Sequence, residues 1–276
     1  MNTHHVILNT SKTYTVLKHH KGQNLILVKG EQPAQRWVDD EIKISSIDTY
    51  IAKHTNKYQT KEKSSKNLLA LSWHNAFCET HRYKKECKKS LFSFTKDKYK
   101  EKHFVLHGLW PQPKNNTYCD VESKILNLDK HKQWHRLPSL DLSDEVKKDL
   151  QNIMPGFASN LHKHEWIKHG TCYGTNANKY YEDAIGLVLQ MNDSKVGNFF
   201  RQNIGKRVTL QQIRAVFNRS FGVGTGKRVV LKCKNGLVTE LWLHLGAGSD
   251  DLATLLKQGT QTRSRCQGGL IDKAGF

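Results

Sequence analysis

Phe104-Val105-Leu106-His107-Gly108-Leu109-Trp110-Pro111 and His164-Glu165-Trp166-Ile167-Lys168-His169-Gly170-Thr171-Cys172 are the two stretches on which the reading of this chain turns. The first opens as a short apolar run, the pattern of a buried strand, and leads directly into a histidine and a tryptophan. The second suits a helix. At about 100° per residue, with His164 at 0°, Lys168 falls near 40°, Glu165 near 100° and His169 near 140°, so the polar groups share one arc. Trp166 and Ile167 land on the other side, ready to anchor the helix in a core.

Outward from these stretches, Leu68 to Trp73 reads as a second buried strand. Ser143-Asp144-Glu145 opens a helix whose Val146, Leu150 and Ile153 share a face and which Pro155-Gly156 stops. Asn178 to Met191 reads as another helix, and Thr209-Leu210-Gln211-Gln212 has capping-box spacing ahead of Ile213, Val216 and Phe217. Strands follow at Arg228 to Lys232 and Leu237 to Leu245. Helices and strands mixed without regular βαβ alternation predict an α+β fold, with a central antiparallel sheet flanked by helices. Residues 1–66 differ: Tyr14-Thr15-Val16-Leu17, a Lys21-Gly22 turn, Leu25-Ile26-Leu27-Val28, a Lys29-Gly30 turn and Arg36-Trp37-Val38 read as β structure, and Lys53 to Lys66 as a basic linker. The expected organisation is therefore an N-terminal β-rich unit with its linker at 1–66 and a larger domain at 67–276.

Among 276 residues, 44 Lys and Arg oppose 25 Asp and Glu, a formal charge of +19. Such a chain meets polyanions: nucleic acid, an anionic membrane surface or a heparin-like sugar. No apolar run approaches the roughly 20 residues of a spanning helix, so membrane insertion is excluded. Six Trp, nine Tyr and ten Phe supply a core and exclude a wholly disordered chain. Ser194 to Thr239 holds ten Lys and Arg and no carboxylate. Six cysteines, at 78, 87, 119, 172, 233 and 266, contain no C-x-x-C pair and read as three disulfides. Disulfides persist in oxidising places, so the expected location is secreted or periplasmic, although Met1-Asn2-Thr3-His4-His5 is not a signal peptide.

The histidines decide among the polyanions. A zinc-protease helix needs its histidines four apart, whereas His164 and His169 are five apart and diverge by about 140°, so no metal and no cofactor is expected. RNA can be cut without metal, because its own 2′-hydroxyl attacks the adjacent phosphate once a base removes the proton. Imidazole titrates near neutrality and can be base on one side and acid on the other. A lysine and a further histidine would neutralise charge on the phosphorane.

These residues resemble the two active-site segments of the ribonuclease T2 family, with Leu69-Ala70-Leu71-Ser72-Trp73, Phe77-Cys78 and Leu237 to Leu245 extending the likeness over roughly 67 to 276. The resemblance implies a metal-independent endoribonuclease that cleaves single-stranded RNA to a 2′,3′-cyclic phosphate and then to 3′-phosphate ends. His107 and His169 would be the acid–base pair, with His169 assigned as base, Glu165 and Lys168 would steady the transition state, and His164 would bind phosphate. Trp110 would stack on a base or serve the core. Gln112 stands where many members carry an acid, which points to low base specificity. Tyr118 either faces the same pocket or packs beside Cys119. The implied bridges are Cys119–Cys172 and Cys233–Cys266, leaving Cys78–Cys87, and His244 stands where a further cysteine is expected.

The N-terminal hairpins resemble a small SH3-like unit appended in some bacterial relatives, with an unknown partner. The chain is expected to be monomeric. The competing functions are an RNA-binding or toxin-like relative that does not digest bulk RNA, and a heparin- or envelope-binding module.

Overall fold

The structure, a computed structural model, describes residues 15–20, 23–27, 35–39, 63–88 and 99–275. Backbone contacts divide the chain into Met1–Gln59 and Thr60–Phe276. The division falls ahead of residue 66 because the stretch before it already belongs to the larger unit. Lys63 Nζ lies 2.6 Å from Asp183 Oδ2, the Ser64 N–H donates to the Tyr173 carbonyl at 2.9 Å, and the Lys66 carbonyl accepts from the Gln112 N–H at 2.8 Å.

In the first unit, β1 (Thr15–His20), β2 (Gln23–Leu27) and β3 (Gln35–Asp39) form an antiparallel sheet in chain order, with Ile26 buried. Tyr14, Val28, the Lys21-Gly22 and Lys29-Gly30 turns and linker positions 53–62 lie outside the described residues.

The second unit is built on a sheet of six strands. β4 (Asn67–Trp73) pairs antiparallel with β5 (Phe104–Pro111) on one side and β8 (Leu237–Leu245) on the other. β8 also pairs antiparallel with β7 (Val229–Lys234) and reaches β6 (Arg207–Thr209) through β9 (Gly268–Leu270). The centre of the sheet is antiparallel as expected, and the β8–β9 contact, Leu237 with Leu270, adds one parallel pairing that makes the whole sheet mixed. β4 is buried nearly throughout, as befits a central strand lying between β5 and β8.

Helices cover the sheet and are bounded as their caps dictate. α1 (His74–Thr80) follows β4 directly, and α2 (Ser123–Lys130) follows the loop beyond β5. α3 (Asp144–Ile153) starts where Ser143 Oγ accepts from the Val146 N–H at 3.3 Å, and it buries Val146, Leu150 and Ile153. α4 (Leu161–Lys168) is the helix expected from the second motif. α5 (Ala177–Asp193) is capped by Asn176, and α6 (Lys195–Gln202) by Ser194. α7 (Leu210–Phe221) carries the full capping box: the Gln212 N–H donates to Thr209 Oγ1 at 3.1 Å, and Gln212 Oε1 accepts from the Thr209 N–H at 2.8 Å. α8 (Leu252–Gln258) ends the helical set. Phe104, Leu106 and Leu109 of β5 meet Leu150, Tyr180, Ala184 and Val188 in one core.

Three disulfides form: Cys119–Cys172 and Cys233–Cys266, which the resemblance implied, and Cys78–Cys87, the pair left over. His244, where a further cysteine was expected, faces Leu68 across the β4–β8 ladder and is half-buried.

Candidate active site

β5 is buried except at two positions, His107 and Trp110. Strand alternation cannot put residues three apart on one face. The ladder explains it: Ala70 pairs with Gly108 but Leu71 with Leu106, so His107 is the extra residue of a bulge and shares the Trp110 face. The two rings meet edge to face, 5.2 Å between centroids. Gly108 makes room for what lies above them, because a Cβ there would sit 2.0 Å from Glu165 Oε2 and 2.4 Å from Trp110 Nε1.

α4 supplies His164, Glu165 and Lys168, but it ends at Lys168, leaving His169 as its C-cap at φ −119° and ψ −46°. His169 is therefore turned by the cap and not by helical phase alone. A 3₁₀ turn, Gly170–Cys172, follows and is bridged to Cys119. As expected, Ile167 is buried and Trp166 packs against the core. The polar arc is not an outer face, however, since Glu165 is 1% and His169 8% exposed.

Glu165 is the centre of the cluster. Trp110 Nε1–H donates to its Oε2 at 2.7 Å, and its Oε1 lies 3.8 Å from His107 Nε2 and 4.0 Å from His164 Nε2. The His169 ring stacks on Trp110, with centroids 5.3 Å apart. His164 is held from behind: its Nδ1 lies 2.8 and 2.9 Å from the two oxygens of Asp129, and its ring stacks on Trp134 at 4.5 Å. The Tyr118 hydroxyl donates to Asp129 Oδ2 at 2.8 Å, so Tyr118 stands on the His164 side and serves that carboxylate. Gln112 Nε2–H donates to the Trp110 carbonyl at 3.2 Å, which places the amide just past the end of β5. The geometry thus gathers His107, Trp110, His164, Glu165 and His169. Lys168 is felt there through its charge on both His107 and His169.

Neither active-site segment contains Asp129, Trp134, Ser72, Glu240 or Trp242, although the last three fall in the flanking stretches 69–73 and 237–245. Glu240 Oε1 lies 2.7 Å from His107 Nδ1, Ser72 Oγ–H donates to that oxygen at 3.2 Å, and Trp242 Nε1–H donates to Oε2 at 2.8 Å. One signal for Glu240 was available: it is the first carboxylate after the acid-free stretch, on the strand face opposite Leu241, Leu243 and Leu245.

The two outer histidines are driven apart in proton affinity. Burial pushes His107 down, but the Glu240 hydrogen bond and the charges of Glu165 and Glu240 outweigh burial and the opposing charge of Lys168, raising it to about 9. Burial, reinforced by the positive charge of Lys168 and the neighbouring histidines, lowers His169 to about 3. One imidazole is thus charged and the other neutral at pH 7, beside a buried carboxylate and a lysine. Two imidazoles so opposed in proton affinity are suited to giving and taking protons on either side of one reacting group.

The sequence relatives agree. The family model described as "Ribonuclease T2 family" matches residues 65–262. Ribonuclease I of Escherichia coli is 29% identical over 235 residues, covering 76% of this chain and 86% of that protein. Ribonuclease 1 of Arabidopsis thaliana is 29% identical over 157 residues, covering 54% of this chain and 61% of that one. Among solved structures, an RNase-related protein from Calystegia sepium aligns with a TM-score of 0.48 at 16% identity, over 76% of this chain and 98% of its own. The chain belongs to the ribonuclease T2 family, and it is an endoribonuclease.

Proposed function

We propose that the enzyme cuts single-stranded RNA by transphosphorylation, with His169 as base and His107 as acid. His169, neutral, takes the proton of the 2′-hydroxyl as that oxygen attacks the adjacent phosphorus. Positive charge from Lys168 offsets the charge that builds on the equatorial oxygens of the phosphorane, and His164 holds the phosphate. His107, charged, gives its Nε2 proton to the departing 5′-oxygen. The products are a 2′,3′-cyclic phosphate and a 5′-hydroxyl. In the slower second step the roles reverse, water replaces the 5′-oxygen, and a 3′-phosphate results. Glu165 orders the site by standing between His107 and His164 while tied to Trp110. DNA, lacking the 2′-hydroxyl, is spared.

The observation that carries this reading is the convergence of His107, His164 and Trp110 on the one carboxylate of Glu165, with His169 stacked on the same tryptophan. All of these side chains come from β5, α4 and the cap of α4 in one chain, which supports a monomer as the active form. Low base specificity is supported by Gln112, whose amide both donates and accepts. Three disulfides support export to the periplasm or the medium. Among the described residues no helix is long and apolar enough to cross a membrane.

Mixing the protein with single-stranded RNA in EDTA tests the reading. The expected products end in 2′,3′-cyclic phosphate. Uncut RNA bound tightly would instead support a binding protein.

A further inference from the structure

From Ser194 to Ser249 the chain carries ten Lys and Arg and a single carboxylate, Glu240. Its position in the sheet is specific. In β8 it pairs with Ser72 of β4 on one side and Lys232 of β7 on the other. Each of its oxygens is engaged: Oε1 by His107 Nδ1 at 2.7 Å and Ser72 Oγ at 3.2 Å, and Oε2 by Trp242 Nε1 at 2.8 Å. All of these partners sit on strands. Trp242 is itself held, with Lys232 Nζ 4.2 Å above its ring and Trp110 edge-on at 5.3 Å. The carboxylate therefore cannot rotate away from His107 without breaking two further hydrogen bonds.

We infer that Glu240 is the positioning residue of the general acid: it accepts the Nδ1 proton of His107, so that the Nε2–H faces the leaving 5′-oxygen, and it thereby assigns the acid's role to His107 and the base's role to His169. This rests on the two-histidine reading above and gives the reason for its polarity. An ionised carboxylate only accepts, so the ring must present Nδ1–H to it. The other groups facing His107 cannot substitute. Glu165 of α4 lies toward the opposite nitrogen, at 3.8 Å, and is shared with His164 and Trp110. Lys168 of the same helix and His169 are both basic. His169 itself has no carboxylate behind it, and its buried Nδ1 has no hydrogen-bond partner among the described residues. The imidazole backed by a carboxylate keeps its proton, and the one without releases it. In the forward step the His107 Nε2–H bond breaks and the proton goes to the 5′-oxygen as the phosphorus–5′-oxygen bond breaks. The 2′-oxygen bonds to phosphorus, and its proton goes to His169.

The test uses two substrates with the same nucleoside, a dinucleoside phosphate and a nucleoside 3′-(4-nitrophenyl phosphate), whose phenolate leaves without being protonated. Glu240→Gln keeps the shape of the side chain and removes its charge. The expected result is a loss of about 100-fold in kcat on the dinucleotide, within the 10²–10⁴-fold that a positioned acid or base contributes. KM should hold, the alkaline limb of the pH profile should move down toward the imidazole value of about 6.5, and the aryl ester should be cut at close to the wild-type rate. Trp242→Phe, which removes one of the carboxylate's bonds and keeps the ring, should show the same selectivity with a smaller loss. Equal loss on both substrates, or no loss on either, would overturn the inference. His107→Ala separates the two readings. If it too cuts the dinucleotide at the wild-type rate, the two-histidine reading fails. If it loses the dinucleotide while Glu240→Gln does not, only the role of Glu240 fails.

Discussion

Gly108 is the position at which one methyl group would cost the most. A Cβ there would meet the Glu165 carboxylate at 2.0 Å and the Trp110 indole nitrogen at 2.4 Å, and neither can retreat, since Glu165 is buried and Trp110 is packed between His107, His169 and Trp242. Gly108→Ala should lower kcat/KM on RNA by about 100-fold, the scale of an approximately 1 Å misplacement. Calorimetry on the variant would show whether the fold survives, and unchanged activity would mean that the Glu165–Trp110 contact is dispensable. His107→Ala and His169→Ala should each remove about 10²–10⁴-fold in kcat while the chain still folds, as circular dichroism would show. The residues legible in sequence are those on the two motifs, because β5 and α4 each deliver several functional groups over a short span. Asp129 was not legible, and Glu240 was marked only as the first carboxylate after the acid-free stretch. They lie on other elements and act only by meeting an imidazole across the fold, which no local spacing encodes.

Two elements position the site, and each departs from its ideal form where the chemistry sits. β5 bulges at His107, which turns that ring onto the face of Trp110. α4 stops at Lys168, and His169 is set by the cap and by the bridged turn that follows. A strand followed by a helix was readable from apolar period and composition, whereas the bulge depends on the register with β4 and so was not. Cys119–Cys172 ties the segment beyond β5 to the end of α4 across a sequence separation of 53. On the chain-entropy model, replacing both cysteines by serine should cost about 4 kcal/mol of stability. Because the bridge holds the turn after His169, chemical denaturation and RNA cleavage should decline together. A double variant with full activity and the wild-type midpoint would contradict that linkage.

For the whole molecule, charge and burial set how the enzyme responds to its medium. With a formal charge of +19, cleavage of long RNA should fall as salt rises, as a linear decline of log kcat/KM against log salt concentration. A flat line would leave the basic surface without a role in substrate capture. Burial holds His74 and His162 near 4 and His169 near 3, below the roughly 6.5 of an unfolded imidazole. From pH 6.5 downward the unfolded chain therefore binds more protons than the folded one, and stability should drop by about 1.4 kcal/mol per pH unit for each such histidine. His107 has the opposite sign: its contribution is complete below pH 6.5 and is lost as pH climbs from there through its raised value of about 9. Calorimetric Tm should accordingly peak near neutrality. The central claim, that RNA's own 2′-hydroxyl is the nucleophile and that the two histidines move its protons, is tested most directly with an oligoribonucleotide carrying a single 2′-deoxy position, digested in EDTA and read by mass spectrometry. Cleavage should occur after the ribonucleotides with 2′,3′-cyclic phosphate ends and be absent after the deoxynucleotide. Cleavage at the deoxy position, or products ending in 5′-phosphate, would contradict it.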